Sequence, residues 1–139
     1  MRDNKGRKVG GQDLIEFALV TPLLLTVVLV LAEFAVVIFR YNAVASAARQ
    51  GARRGIVVQG TVAQVQAAAV SGVEDAVRAS GLNSEDLTVV VPAEAIANGR
   101  VEVQVIYRAA LLTQPVIRAI GIDSGGQFTL RATSSMIRE

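Results

Sequence analysis

The apolar residues of this chain are concentrated in one long run near the N-terminus. Residues 17–32 carry no charge, Glu33 interrupts the run, and residues 34–39 resume it. A membrane-spanning helix needs about 20 mostly apolar residues. Residues 14–34 supply this length if Glu16 and Glu33 lie near the two interfaces. Because the run is apolar on all faces, it predicts a membrane helix and not the core helix of a soluble protein.

Two features of this run are unusual for a membrane helix. Pro22 lacks the amide that would bond the carbonyl of Ala18, so we expect a local kink. The hydroxyls of Thr21 and Thr26 can donate to nearby carbonyls, which makes the kink tolerable in lipid. Glu33 has only apolar neighbours at helical spacing. We expect its carboxylate to reach headgroup water, with pairing to another subunit as the alternative.

The sequence after the apolar run predicts two helical segments. Residues 41–54 continue the first helix with a small-residue surface, and Gly51, Gly55 and Gly60 mark its exit. A second helix is predicted over residues 62–80. Its N-cap is predicted at Thr61 and its C-cap at Gly81, and Gly72 predicts a bend within the helix. The stripe of the helix that faces the core comprises Val62, Val65, Ala69, Val73, Ala76 and Val77.

Strand signals occupy the remainder of the chain. Alternation places Val101, Val103, Val105 and Tyr107 on one face of a strand. The other predicted elements are strands at 87–91 and 128–137, turns at Asn98-Gly99 and 123–126, and a short helix at 115–120 closed by Gly121. In the last strand Phe128, Leu130, Ala132 and Met136 are predicted to point inward.

These elements predict an α+β fold. A long, partly transmembrane N-terminal helix and a second helix pack on a small antiparallel sheet of about three strands. We divide the chain into a basic leader (1–11), a membrane and assembly helix (12–40) and an exported α+β domain (41–139).

Charge and composition exclude several function classes. The chain has no cysteine and no histidine, and its serines lack a neighbouring base, so we expect no enzyme, no metal and no cofactor. Four basic side chains against Asp3 make the leader positive, whereas the chain from Gln12 onward is slightly acidic. With few aromatic residues, this distribution argues against nucleic acid. No feature indicates a small-molecule substrate.

The basic leader also bears on orientation. Its charges lie close to the first segment to insert, so we expect a cytoplasmic N-terminus and an exported C-terminal domain, although Arg40, Arg49, Arg53 and Arg54 follow closely.

The glycines before the apolar run form a motif with Glu16. Cleavage between Gly11 and Gln12, with Gly10 alongside, would make Glu16 the fifth mature residue and Phe17 the sixth. Glycine allows the close backbone approach that a protease groove requires. This layout resembles the prepilin-peptidase site of the type IV pilin superfamily, in which the apolar helix is retained after cleavage.

A longer stretch carries a more specific resemblance. "GQDLIEFALVTPLLLTVVLVLAEFAVVIFRYNAVASAARQGARRG" resembles TadE-like pseudopilins of tight-adherence (Flp/Tad) pili in its Glu-Phe pair, its Pro-Leu-Leu and its late acid. The resemblance implies a pilin-like fold and a minor pilin or pseudopilin that a prepilin peptidase processes. It also implies a subunit held in the inner membrane that assembles with other pilins and the Tad assembly platform, and it leaves open whether the chain is incorporated in an extracellular pilus. It also implies that Glu16 neutralises the new amine of Gln12 on an adjacent subunit, which reduces the cost of either charge in lipid.

Two other interpretations stay open. Conventional signal peptidase could cut after Ala32 and release a soluble domain, or the chain could be a single-pass anchor for a binding domain. The face that carries Arg49 and Arg53 is either a solvated extension of the membrane helix or a contact for a neighbouring subunit.

Overall fold

The computed structural model describes residues 11–119, 121 and 126–137. The leader with Gly10, Ile120 at the end of the predicted short helix, and most of the predicted 123–126 turn lie outside the described residues. The elements in chain order are α1 (Gly11–Val57), α2 (Val62–Ala79), a 3-10 turn (Ser84–Asp86), β1 (Leu87–Val90), α3 (Ala93–Ala97), β2 (Arg100–Ala110), α4 (Gln114–Ala119) and β3 (Gln127–Ile137). The predicted α+β class is confirmed.

The first helix is a single continuous element of 47 residues, from Gly11 to Val57. At about 1.5 Å per residue it extends about 70 Å, more than twice the thickness of a hydrocarbon core of about 30 Å. Its N-terminal half is exposed along its whole apolar length, whereas Val44, Ala47 and Ala48 are buried in the folded domain. One helix therefore has an exposed apolar half and a second half that is packed in the folded domain.

The predicted helix exit is wrong for Gly51 and Gly55, which lie inside α1. Both glycines are buried at the contact with α2 and β2. A Cβ on Gly51 would lie 2.5 Å from Cγ2 of Val73, and one on Gly55 would lie 2.8 Å from Cγ1 of Val101. The glycines permit close packing of α1 on its neighbours, and the chain leaves the helix only after Val57, ahead of Gly60.

The second helix has the predicted boundaries to within one residue. The Thr61 hydroxyl accepts from the Gln64 amide and the Gln64 side chain accepts from the Thr61 amide, which forms a capping box. Gly81 follows the C-terminus with φ of +72°, a conformation that glycine adopts without a steric penalty. Gly72 faces α1, where a Cβ would lie 3.1 Å from Cα of Gly51.

The sheet is antiparallel, with strand order β1-β2-β3. The central strand β2 pairs with β3 over its whole length, from Arg100 opposite Ile137 to Ala110 opposite Gln127. The predicted inward alternation is confirmed: Val101, Val103, Val105 and Tyr107 of β2 are buried, and Phe128, Leu130, Ala132 and Met136 of β3 pack on the core.

The core lies between the inner face of the sheet and the two long helices. All of its fully buried large side chains are valines: Val44, Val65, Val73, Val77, Val101, Val103 and Val105. Small residues of α1 complete it, because Ala47, Ala48 and Ala52 are buried against the chain's own domain. The small-residue surface of α1 is therefore used for packing within the chain's own domain.

One short helix was not predicted. Residues Ala93–Ala97 form α3, which begins after Pro92 and ends before the Asn98-Gly99 turn. Ile96 anchors α3 in the core. Five residues are too few to show a helical period, so the sequence pattern could not separate this turn of helix from a loop.

The glycine contact between α1 and α2 predicts the sign of a substitution. Gly51→Ala should destabilise the domain by about 1–3 kcal/mol, because its methyl group would overlap Val73 and the carbonyl of Ala69. Helix propensity alone predicts the opposite sign, a gain of about 1 kcal/mol. The measurement is urea unfolding of the full chain in mild detergent.

The exposed position Ala67 of α2 provides the matched control for propensity. Ala67→Gly should cost about 1 kcal/mol or less through propensity alone. A stabilised Gly51→Ala variant would show that α1 and α2 are not in close contact at this point.

Candidate membrane and assembly helix

The N-terminal half of α1 has an apolar surface that the described residues do not bury. Among the described residues, Asp13–Val57 is the one helix long and apolar enough to cross a membrane. No residue of its most apolar window is buried within the protein. The exposed large side chains include Leu14, Ile15, Phe17, Leu19, Leu23, Leu24, Leu25, Leu31, Phe34, Ile38 and Phe39. Such a continuous apolar surface is stable in lipid or against other apolar helices, and not in water.

The predicted recognition residues lie at the beginning of this surface. Gly11 and Gln12 are in the first turn of α1, and Glu16 lies one helical turn after Gln12. Glu16 and Phe17 are both exposed. The predicted roles of Gly11, Gln12, Glu16 and Phe17 in cleavage and assembly stay predictions, because they concern partners outside the chain.

The threonines on either side of Pro22 behave as predicted. The Thr21 hydroxyl donates to the carbonyl of Phe17 at 2.7 Å, and the Thr26 hydroxyl donates to the carbonyl of Pro22 at 2.8 Å. Both donors are therefore satisfied within the helix, as a lipid environment requires. Pro22 lies inside α1 without ending it, and the predicted kink stays a prediction.

Glu33 has partners that the sequence did not indicate. Its Oε1 accepts from the amide of Leu112 at 2.9 Å, and its Oε2 accepts from the amide of Thr113 at 3.1 Å. These residues belong to the β2–α4 loop (residues 111–113), almost eighty positions further along the chain. Both carboxylate oxygens of Glu33 thus accept a hydrogen bond from the loop. Within this chain Glu33 therefore joins the exposed apolar half of α1 to the folded domain.

Arg40 makes a second contact of the same kind. Its guanidinium donates to the carbonyl of Ala110, the last residue of β2, at 2.6 Å. Arg40 lies seven residues after Glu33, two helical turns away and therefore on the same face. This spacing of two charges on an otherwise apolar helix is the signal that could have predicted a polar partner on that face.

The arginines late in α1 differ in their surroundings. Arg54 forms an ion pair with Asp75 of α2 at 2.6 Å, with both side chains half exposed. Arg49 and Arg53 are exposed and lie four residues apart on α1. They line a cleft of about 320 Å³ together with Ser46, Gln50 and Met136. Their predicted contact with a neighbouring subunit stays a prediction.

The described residues contain no group of three or more acidic, histidine or cysteine side chains that could hold a metal ion. Ser134 and Ser135 occupy neighbouring positions on β3, paired with Val103 and Glu102 of the adjacent strand. Neighbouring strand residues point to opposite faces of the sheet, so these serines do not form a shared site.

Comparison with known proteins gives a match to a protein family. The family model of TadE-like proteins matches residues 11–53. The match begins at the first residue of α1, ends within its last two turns and includes Glu16, Pro22 and Glu33. Residues 11–53 are thus similar to TadE-like proteins, as the resemblance predicted. No curated protein and no solved structure matches the chain significantly.

The contact between Glu33 and the β2–α4 loop is testable by hydrogen exchange. Glu33→Ala should increase exchange at the amides of Leu112 and Thr113 about ten-fold or more, because a lost hydrogen bond to a charged group costs about 1.5–3 kcal/mol. The measurement is amide exchange of the full chain in detergent micelles.

Glu74→Ala is the control, since Glu74 is an exposed acid of α2. It should leave exchange in the loop unchanged. Equal exchange in the native chain and in Glu33→Ala would show that the carboxylate does not hold the loop.

Proposed function

We propose that this TadE-like chain is a minor pilin or pseudopilin of a Tad-type pilus, a structural subunit without catalytic activity. A prepilin peptidase removes residues 1–11, and the mature chain begins at Gln12. The retained helix holds the subunit in the inner membrane with its N-terminus on the cytoplasmic side. There the subunit associates with other pilins and with the Tad assembly platform during pilus assembly or its initiation, in adhesion or secretion.

The single observation that carries this proposal is the form of α1. One unbroken helix joins the exposed apolar segment to the core of the folded domain, and the TadE-like match covers residues 11–53 of it. A helix that must leave the bilayer and pack among similar helices in a filament needs this continuity. The proposal is stronger than that of a simple anchor, which requires only the apolar segment.

The surface of α1 argues against release of the domain after Ala32. Such a cut would make Glu33 the first residue and would leave Phe34, Ile38 and Phe39 at the new terminus, where their side chains are 64%, 45% and 58% exposed. An exposed apolar terminus of this kind favours aggregation in water. Retention of the helix in a membrane or a filament avoids this cost.

Glu16 has a specific role in the proposed assembly. Its exposed carboxylate lies at the start of the apolar surface, where an ion without a partner is unfavourable in lipid. Cleavage before Gln12 creates an amine about one helical turn before Glu16. Pairing of Glu16 with the Gln12 amine of a neighbouring subunit would neutralise both charges and fix the axial register of two helices.

The size of the exported domain indicates a minor subunit. Beyond α1 the chain adds a second long helix and a three-stranded sheet with its own core. A subunit of this bulk is suited to a special position in the pilus, whereas the principal subunit of a Flp-type pilus resembles little more than the helix alone.

The N-terminus of the mature protein tests the proposal directly. In cells that contain the matching prepilin peptidase, N-terminal sequencing should give Gln12. An N-terminus at Glu33 would instead support signal-peptidase release, and one at Met1 or Arg2 would support an unprocessed anchor. Either of these results would contradict the proposed maturation.

Replacement of Glu16 separates cleavage from assembly. Glu16→Ala should leave cleavage largely intact and prevent incorporation into the pilus assembly, because the amine of the neighbouring subunit loses its counter-ion. The measurements are mature N-terminal sequencing and co-purification with the sheared pilus fraction.

Asp13→Ala is the matched control, since Asp13 is an exposed acid in the first turn of the same helix. It should retain both cleavage and incorporation. Normal incorporation of Glu16→Ala would contradict the assigned role of Glu16.

A further inference from the structure

The β2–α4 loop lies beside the apolar surface of α1. Two bonds to Glu33 hold the loop against the helix, and the side chain of Leu112 at its tip is 51% exposed. The apolar surface continues on both sides of this contact, with Leu31 and Val30 before Glu33 and Phe34 after it, all exposed. The loop therefore meets α1 within the apolar band and not beyond its end.

The length of α1 places this contact at the level of the bilayer boundary. Glu33 lies nineteen residues after Leu14, where the apolar run begins. This separation corresponds to about 28 Å along a helix, close to the hydrocarbon thickness of about 30 Å. With Leu14 at one boundary, Glu33 and the amides bonded to it lie at the other.

The amides of the loop all have hydrogen-bond acceptors, as this location requires. Four consecutive amides have acceptors: Leu111 donates to the Gly126 carbonyl, Leu112 and Thr113 donate to Glu33, and Gln114 donates to the Leu111 carbonyl. Loops in water leave many such groups to the solvent, whereas near hydrocarbon an amide without a partner costs several kcal/mol. A loop whose amides are all paired and whose leucine is exposed suits a lipid boundary.

Arg40 gives the direction in which the loop approaches the membrane. Its guanidinium bonds the Ala110 carbonyl, two helical turns further from the bilayer than Glu33. The chain thus passes from the level of Arg40 at the end of β2 to the level of Glu33 at Leu112. The loop descends along α1 toward the lipid.

We propose that the β2–α4 loop is a second membrane contact, in which Leu112 inserts into the lipid boundary on the exported side of the bilayer. The partner is the phospholipid surface, in the layer where acyl chains meet headgroups. Glu33 is the positioning residue, because it holds the loop at this depth and provides acceptors for two of its amides. The inference rests on the proposed function in one respect: α1 must span the membrane.

A single tryptophan can report the depth of the loop, because the chain contains none. Leu112→Trp is introduced in the full chain, which is reconstituted at low density in phosphatidylcholine and phosphatidylglycerol vesicles. Quenching of its emission by lipids brominated on their acyl chains measures contact with the bilayer. Contact of the tryptophan with other protein side chains produces no such quenching, so the assay identifies lipid and not a neighbouring protein surface.

Two further variants calibrate the measurement. Ile137→Trp is the negative control, since Ile137 is 72% exposed and pairs with Arg100 at the opposite end of the sheet from Ala110. Leu24→Trp is the positive control, since Leu24 is an exposed residue in the middle of the proposed membrane span. Like Leu112, both residues lie at the surface, where a larger side chain is tolerated.

The inference predicts that bromolipid quenches Leu112→Trp several-fold more than Ile137→Trp and that it also quenches Leu24→Trp. Quenching of Leu24→Trp alone, with Leu112→Trp equal to Ile137→Trp, overturns the second membrane contact and leaves the membrane helix intact. Absence of quenching at Leu24 overturns the membrane span and the loop contact together. The two failures are thus distinguishable.

Discussion

The close contact of α1 and α2 through Gly51 and Gly72 is the interaction on which the folded domain depends. A Cβ on Gly72 would lie 3.1 Å from Cα of Gly51, so the two backbones touch without side chains between them. This proximity lets valines of both helices reach the inner face of a sheet of only three strands. A domain with so small a core gains much of its stability from close packing, because it has little apolar area to bury.

The same helix is suited to lipid at one end and to a protein core at the other, and its composition changes accordingly. Leucine, valine and phenylalanine cover its exposed half, whose most apolar window is not buried by any of the described residues. Alanine and glycine replace them where α1 enters the domain, because small residues let elements approach closely. Glu33 and Arg40 lie at the transition, and both direct their polar groups to the end of β2 and its loop.

The sequence predicted the elements that have long periodic patterns, but not the contacts between residues that are far apart along the chain. The boundaries of α2, the strand faces and the Thr61 cap follow from local rules of spacing and capping, and the structure confirms them. Gly51 and Gly55 were misassigned because glycine is a breaker by local rules, whereas here tertiary packing requires its lack of a side chain. The partners of Glu33 lie far along the chain, so the spacing of Glu33 and Arg40 could indicate a polar face of α1 but not the residues that contact it. For the candidate membrane and assembly site, the sequence was sufficient to locate the apolar helix. The roles of Gly11, Glu16 and Phe17 depend on other proteins.

The bonds from Glu33 and Arg40 to the end of β2 have a mechanical consequence. A domain joined to a membrane helix through a free linker could rotate while the helix stayed still. Here the helix passes without interruption into the core, and two polar contacts fix the strand end to its side. Any axial displacement or rotation applied to α1 is therefore transmitted to the whole domain. If α1 spans the membrane as proposed above, no hinge separates it from the domain, and a force that extracts the helix also moves and orients the domain.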